Sequence, residues 1–160
     1  MDIFTLSESA ALLEMSKSTV TNWTIGRPLK FSPTVRRATG TGTRNLYSRE
    51  DLYLFSLAKH LSDFGFSTKT IQRVLDEFAG LGRSLGGPHN ISWLLIDRDR
   101  TGKRIDPVLI PQAVPWPRIA ATSKEESVDR YFCDFSRVRA SIDERISNLS
   151  DPVRKRRRAK

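Results

Sequence analysis

Over its first half the chain spaces apolar residues as short amphipathic helices do, and the polar residues between them mark where each helix starts. Leu6, Ala10, Leu12 and Leu13 fall on one side of a helix of about three turns. Thr5 and Glu8 stand at capping-box spacing ahead of it, so each side chain can satisfy an orphan N–H of the other residue. Met15 closes this helix, and Ser16 is a good N-cap for a second one running from Lys17 to Thr24. Two short helices this close together make a helix-turn-helix candidate, whose second helix would present its N-terminal polar residues to a major groove.

Pro28 ends the second helix. Residues 29–47 hold Pro33, Gly40, Gly42 and a run of threonines, which predicts two short strands around a flexible tip at Thr39–Gly42. Any surface hairpin needs glycine and polar residues at its turn, so this pattern alone gives a hairpin and no function. Ser48-Arg49-Glu50-Asp51 caps a third helix that carries Leu52, Phe55, Ala58, Leu61 and Phe64 and ends at Gly65. Ser67 then caps a fourth helix with Ile71, Val74, Leu75 and Phe78.

Beyond a glycine-rich break at residues 80–88, Ile91 to Ile96 reads as a buried strand and Pro107 to Ile110 as its returning partner. Pro111, Pro115 and Pro117 keep residues 111–118 out of regular structure. The last pattern is a long helix from about Lys124 to Leu149, with Val128, Phe135, Ile142 and Leu149 seven residues apart and Tyr131 and Val138 between them. Arg145 breaks that intervening series. Such a seam either packs back on its own domain or pairs with a second copy, and pairing is the expectation. The resulting fold class is mainly α with a small β-hairpin wing, then a short β-rich segment and a long C-terminal dimerisation helix. The expected divisions are a DNA-binding domain at 1–79, a Gly/Pro-rich connector at 80–122, a heptad helix at 123–150 and a disordered basic tail at 151–160.

Charge sharpens the reading of function. The 160 residues carry a formal net charge of +9, a surplus that favours a polyanionic partner. Six of the cations (Arg154, Lys155, Arg156, Arg157, Arg158 and Lys160) crowd into the tail, so the body is only mildly basic. The tail reads as an arm tracking DNA phosphates, as a nuclear localisation signal or as a solubilising end. One cysteine, Cys133, gives no disulfide framework and no cysteine-rich zinc site, and it reads as a small buried hydrophobe. His60 and His89 belong to no constellation. Asp97, Asp99 and Asp106 alternate with Arg98, Arg100 and Arg104, which suggests ion pairs at a turn rather than a cation site. No apolar run approaches the roughly 20 residues that cross a bilayer, and Met1-Asp2-Ile3-Phe4 does not open like a signal peptide. The expectations are a cytoplasmic protein, no cofactor, no metal, no membrane partner and no enzymatic activity.

Four stretches carry a family resemblance: Phe4-Thr5-Leu6-Ser7-Glu8, Ser16-Lys17-Ser18-Thr19-Val20, Leu46-Tyr47-Ser48-Arg49-Glu50-Asp51-Leu52 and Leu61-Ser62-Asp63-Phe64-Gly65-Phe66-Ser67. Together they resemble the DNA-binding domain of the MerR family of bacterial regulators, over about half the chain. The resemblance implies a helix-turn-helix that reads the major groove, a wing that touches the neighbouring backbone and a C-terminal helix that makes a dimer. It puts Lys17, Ser18, Thr19, Thr21, Asn22 and Trp23 on the recognition helix, with Trp23 better suited to anchoring that helix on the core than to reaching a phosphate. Arg27, Lys30, Arg36, Arg37, Thr43, Arg44, Asn45 and Tyr47 become wing and phosphate contacts, and Val128, Tyr131, Phe135, Val138, Ile142 and Leu149 the dimer interface.

The sequence departs from the family in having Thr21, Asn22 and Trp23 where Arg-Tyr-Tyr is usual, and Asn45 where the wing arginine is usual. The implied function is sequence-specific binding of double-stranded DNA as a homodimeric transcription regulator. The alternative is an architectural accessory factor for recombination, replication or partition of a mobile element or phage. No effector domain of recognisable type follows, so control would rest on protein level or on a partner protein meeting residues 80–122.

Overall fold

Capping, more than propensity, sets where the helices of this chain begin. The computed structural model describes residues 2–37, 44–84, 88–99, 105–112 and 127–149. Strand β1 (Ile3–Thr5) leads into helix α1 (Leu6–Leu13), opened by the Thr5/Glu8 capping box. There Thr5 N–H donates to Glu8 Oε2 at 2.7 Å and Glu8 N–H to Thr5 Oγ1 at 3.4 Å. Helix α2 (Lys17–Thr24) starts at Ser16, whose Oγ accepts from Thr19 N–H at 3.0 Å. Strand β2 (Leu46–Ser48) pairs antiparallel with β1, Phe4 opposite Tyr47. Helix α3 (Arg49–Asp63) is capped by Ser48 and Asp51, and Gly65 at φ +82° turns the chain towards α4 (Thr68–Ser84). Only glycine takes that backbone conformation without strain.

The expected hairpin beyond residue 80 forms and gains a third strand. After a single 3-10 turn at Pro88–Asn90, strand β3 (Ile91–Asp99) lies between β4 (Ile105–Pro111) and β5 (Ser127–Asp134), antiparallel to both. Leu94 faces Leu109 on one side and Cys133 on the other. Helix α5 (Phe135–Asn148) follows β5 directly, capped by Asp134.

This corrects the long C-terminal helix. Residues 127–134, which include Val128 and Tyr131, are strand, and the helix is 14 residues long. Backbone pairing is the physical reason. Buried β3 needs a hydrogen-bonding partner on its second edge, and β5 supplies it. The segment Tyr131-Phe132-Cys133 also has the aromatic, alternating character of a strand. Tyr131 and Cys133 join the helical core, while Phe132 packs with Leu95, Ile110 and Trp93 in a second cluster. A seven-residue spacing can run across a strand–helix junction as easily as along a coiled coil.

The remaining seam positions also point inward. Phe135 and Ile142 are fully buried, Ile146 nearly so, and half-buried Val138 and Leu149 pack against the same cluster. Phe135 meets Phe78 of α4 at a centroid distance of 5.0 Å. The outward positions of α5 are Arg137, Ala140, Ser141, Glu144, Ser147 and Asn148, a polar stripe. One cluster of buried residues thus runs from Phe4 through α1–α4 to the sheet and α5.

Two polar links fasten α5 to the N-terminal helices. Asp143 accepts from the Tyr53 hydroxyl at 2.6 Å and from Arg49 at 3.3 Å, both on α3. Arg145 reaches α1, donating to the Leu12 carbonyl at 2.8 Å and pairing with Glu14 at 3.1 Å.

Candidate nucleic-acid interface

Helix α2 divides cleanly into two faces. Val20, Trp23 and Thr24 are buried, Lys17, Ser18 and Asn22 are exposed, and Thr19 and Thr21 lie at the boundary. The buried face seats the helix. Trp23 stacks parallel to Phe55 of α3 at 6.0 Å, and its carbonyl accepts from Phe31 N–H at 2.9 Å. Thr24 Oγ1 donates to the Val20 carbonyl at 2.8 Å and lies 3.1 Å from the Tyr47 hydroxyl. On the outer face the Thr21 hydroxyl is spent on the Lys17 carbonyl at 2.8 Å, a bond that turns its methyl group into the available contact. Lys17 and Asn22 can thus present a cation and a two-sided amide beside that methyl group, the chemistry that reads base edges and phosphate.

Cations extend this face along the chain. Arg27 and Lys30 are exposed on the loop after α2, and Arg36, Arg37 and Arg44 at the base of the expected wing. That base is closed by two backbone hydrogen bonds between Arg36 and Leu46, at 2.9 and 3.2 Å, and by Arg36 Nε donating to the Arg44 carbonyl at 3.2 Å. Asn45 is half-buried beside it. The expected tip at residues 39–42 and the candidate Thr43 lie outside the described residues.

One expected contact, Tyr47, moves to the interior, and Trp23 takes the anchoring place expected of it. Trp23 is only 8% exposed and Tyr47 is fully buried, so neither is presented to a phosphate. Tyr47 meets Phe55 edge-on at 5.8 Å, and burial pushes its phenol up from the usual tyrosine value. An aromatic ring so placed gains far more from the core than from a polyanion. Tyr47→Phe is expected to cost on the order of 1 kcal/mol through its lost hydroxyl partner. The salt dependence of DNA binding should stay as it was. A flatter dependence would return Tyr47 to the phosphate-contacting set.

Asp51 was legible only as a capping residue, yet it does more. Its Oδ2 accepts from Ser48 N–H at 2.8 Å and from both the N–H and the hydroxyl of Thr34 at 3.0 Å. Burial holds its carboxyl above the usual aspartate value, opposed by these donated hydrogen bonds. The start of α3 and the loop leading to the wing are thereby joined at one carboxylate. Sequence gives no sign of the Thr34 link, because it joins residues 17 apart through a loop without periodicity.

Other chemistry is thin. Among the described residues no group of three or more His, Cys, Asp or Glu could hold a metal ion. Cys133 is buried, and burial pushes its thiol up to about 12. The His60 ring lies 3.1 Å from the Tyr131 hydroxyl, and His89 faces Glu50 at 3.4 Å. Asp97 does form an ion pair, but with Arg130 across the sheet, at 3.4 Å. A cleft of about 650 Å³ between α3, α4 and the loop at residues 30–34 contains Glu50, Asp51 and Asp76. Each of these carboxylates is already engaged, by His89, by Ser48 and Thr34, and by Gln72 respectively. No helix among the described residues is long and apolar enough to cross a membrane.

No curated protein matches the chain. The model of the MerR HTH family regulatory protein family matches residues 4–77, the span from β1 to the last buried turn of α4. Over residues 4–77, just under half of its length, the chain is thus similar to the helix-turn-helix domain of MerR HTH family regulatory proteins.

Proposed function

We propose that this protein is a transcription regulator that binds a specific double-stranded DNA site, as a homodimer on a near-palindromic sequence. The observation that carries the reading is the outer face of α2, with Lys17, Ser18 and Asn22 exposed and Thr21 at its edge, followed in the chain by the exposed Arg27, Arg36, Arg37 and Arg44. Lys17 and the arginines serve as phosphate contacts, which fix the register without reading sequence. Asn22 is the specificity residue, bridging N6 and N7 of an adenine, with the Thr21 methyl against a neighbouring thymine. The second copy follows from the family resemblance. It would dock away from Phe135 and Ile142, which the protomer's own core occupies.

The test is selection of bound fragments from the source genome with the purified chain. A few loci sharing an inverted repeat, with half-sites about one helical turn apart, are the expected result. The selected duplex then serves for measuring Asn22→Ala. This variant should lose about 1–3 kcal/mol on the selected site and tolerate substitution at one adenine. Its binding to an unrelated duplex should not change. Fragments without a common sequence, or an Asn22→Ala protein that still prefers the site, would sink the reading. Light scattering on the complex counts the copies, and one protomer per site would remove the homodimer.

A further inference from the structure

Helix α1 ends on a left-handed residue that is not glycine. Its last turn is a Schellman motif, in which Met15 N–H donates to the Ala10 carbonyl at 3.0 Å and Glu14 N–H to the Ala11 carbonyl at 3.2 Å. The residue in the left-handed conformation is Glu14, at φ +51°, where glycine is the usual choice. A side chain there costs energy, so something else must favour glutamate. The motif also leaves the Leu12 carbonyl unserved at the negative end of the helix dipole. A single side chain answers both needs, since Arg145 of α5 donates to the Leu12 carbonyl at 2.8 Å and pairs with Glu14 at 3.1 Å. Arg145 is the residue that interrupted the seven-residue spacing.

We infer that Arg145 is a positioning residue for DNA reading, a C-terminal arginine that locks the α1–α2 turn and so fixes how α2 is presented. The inference rests on the DNA-binding reading above. The turn spans Glu14 to Ser16, directly ahead of Lys17 and Ser18. A small tilt at this turn swings the first residues of α2 against a groove that the rest of the domain addresses. Two residues before Arg145, within the same turn of α5, Asp143 holds Arg49 and Tyr53 at the start of α3. Helix α5 therefore grips both helices that frame the reading unit. Contacts that demand orientation, such as an amide on a base edge, suffer most from a loosened turn. Phosphate contacts tolerate it, because they need only proximity.

The experiment measures the full chain on the selected duplex and on an unrelated one, over a range of salt. It compares Arg145→Ala, Arg145→Lys and Glu14→Gly. Arg145→Ala is expected to lower the ratio of specific to unrelated affinity about tenfold, or about 1.4 kcal/mol, with the salt slope unchanged. Arg145→Lys, which keeps a donor and a charge, should recover part of that ratio. Glu14→Gly relieves the backbone cost, so its Tm should not fall below that of the parent. Its ratio should nevertheless drop, because the ion pair is gone. If Arg145→Ala lowers Tm while both it and Glu14→Gly keep the full ratio, Arg145 is only a brace and the inference fails. If the parent chain itself does not distinguish the two duplexes, the DNA-reading assignment is what fails, and the inference falls with it.

Discussion

Phe135→Ala is expected to lower the free energy of unfolding by about 3–5 kcal/mol. That is a large share of the roughly 5–15 kcal/mol that holds a domain together. The size follows from its surroundings. Phe135 is fully buried at the first turn of α5, meets Phe78 of α4, and belongs to the cluster that also holds Leu94 and Cys133. Truncation would leave a cavity between three elements, none of which can collapse into it without breaking the sheet register. The mechanism also predicts what the loss should not depend on. A residue in a subunit interface destabilises through mass action, so its effect changes with protein concentration. Phe135 lies within one protomer, so urea unfolding at two concentrations tenfold apart should give the same midpoint shift. A shift that grew on dilution, or a halved mass at an unchanged midpoint, would make α5 an intersubunit helix after all.

Removing residues 152–160 should have the largest effect on DNA affinity and almost none on DNA choice. The segment lies outside the described residues, and its charge sets the size of the effect. It carries six cations, against a net charge of +9 for the whole chain. Each duplex phosphate neutralised contributes about 0.9 to the slope of log K against log salt, so full engagement of the tail would account for a slope of about 5. The truncated chain should show a slope smaller by up to that amount and weaker binding to every duplex, while its preference for the selected site persists. Anisotropy titrations at several salt concentrations read both quantities at once. An unchanged slope would show that the tail does not touch DNA, and a lost preference would show that it reads sequence. Asn22→Ala should give the mirror image, with preference lost and slope kept.

What could be read from the sequence divides by distance along the chain. The caps at Thr5, Ser16 and Ser48 were legible because a cap and the N–H that donates to it lie within one turn, and α2 runs over Lys17–Thr24 as its capping predicts. The hairpin of β3 and β4 was legible because each strand is a compact apolar run bounded by turn residues. The third strand was not. Tyr131-Phe132-Cys133 becomes a strand only because β3 has an edge to offer, and β3 lies more than thirty residues earlier. Within the site, polar residues at the start of α2 could be assigned to the outer face from helix geometry. Trp23 could be read as an anchor of α2, but Tyr47 could not be placed, since an aromatic residue serves a core and an interface equally well until its neighbours are known. Phe55, stacked on one and edge-on to the other, decides both. Arg145 appeared in the sequence only as a flaw in a repeat. Its meaning depends on a carbonyl 133 residues away.

The burial of α5 against α1, α3 and α4 bears on how such a reading head could be exchanged between proteins. The matched span, residues 4–77, looks like a detachable cassette. Cutting there would remove Phe78 and uncover Val74, strip Leu12 and Glu14 of their arginine, and leave Tyr53 and Arg49 without Asp143. A graft of residues 1–79 onto another protein should therefore aggregate or read DNA poorly unless the sheet and α5 travel with it. The unit expected to survive exchange as a whole is the chain through Leu149, and a swap made at the family boundary should fail.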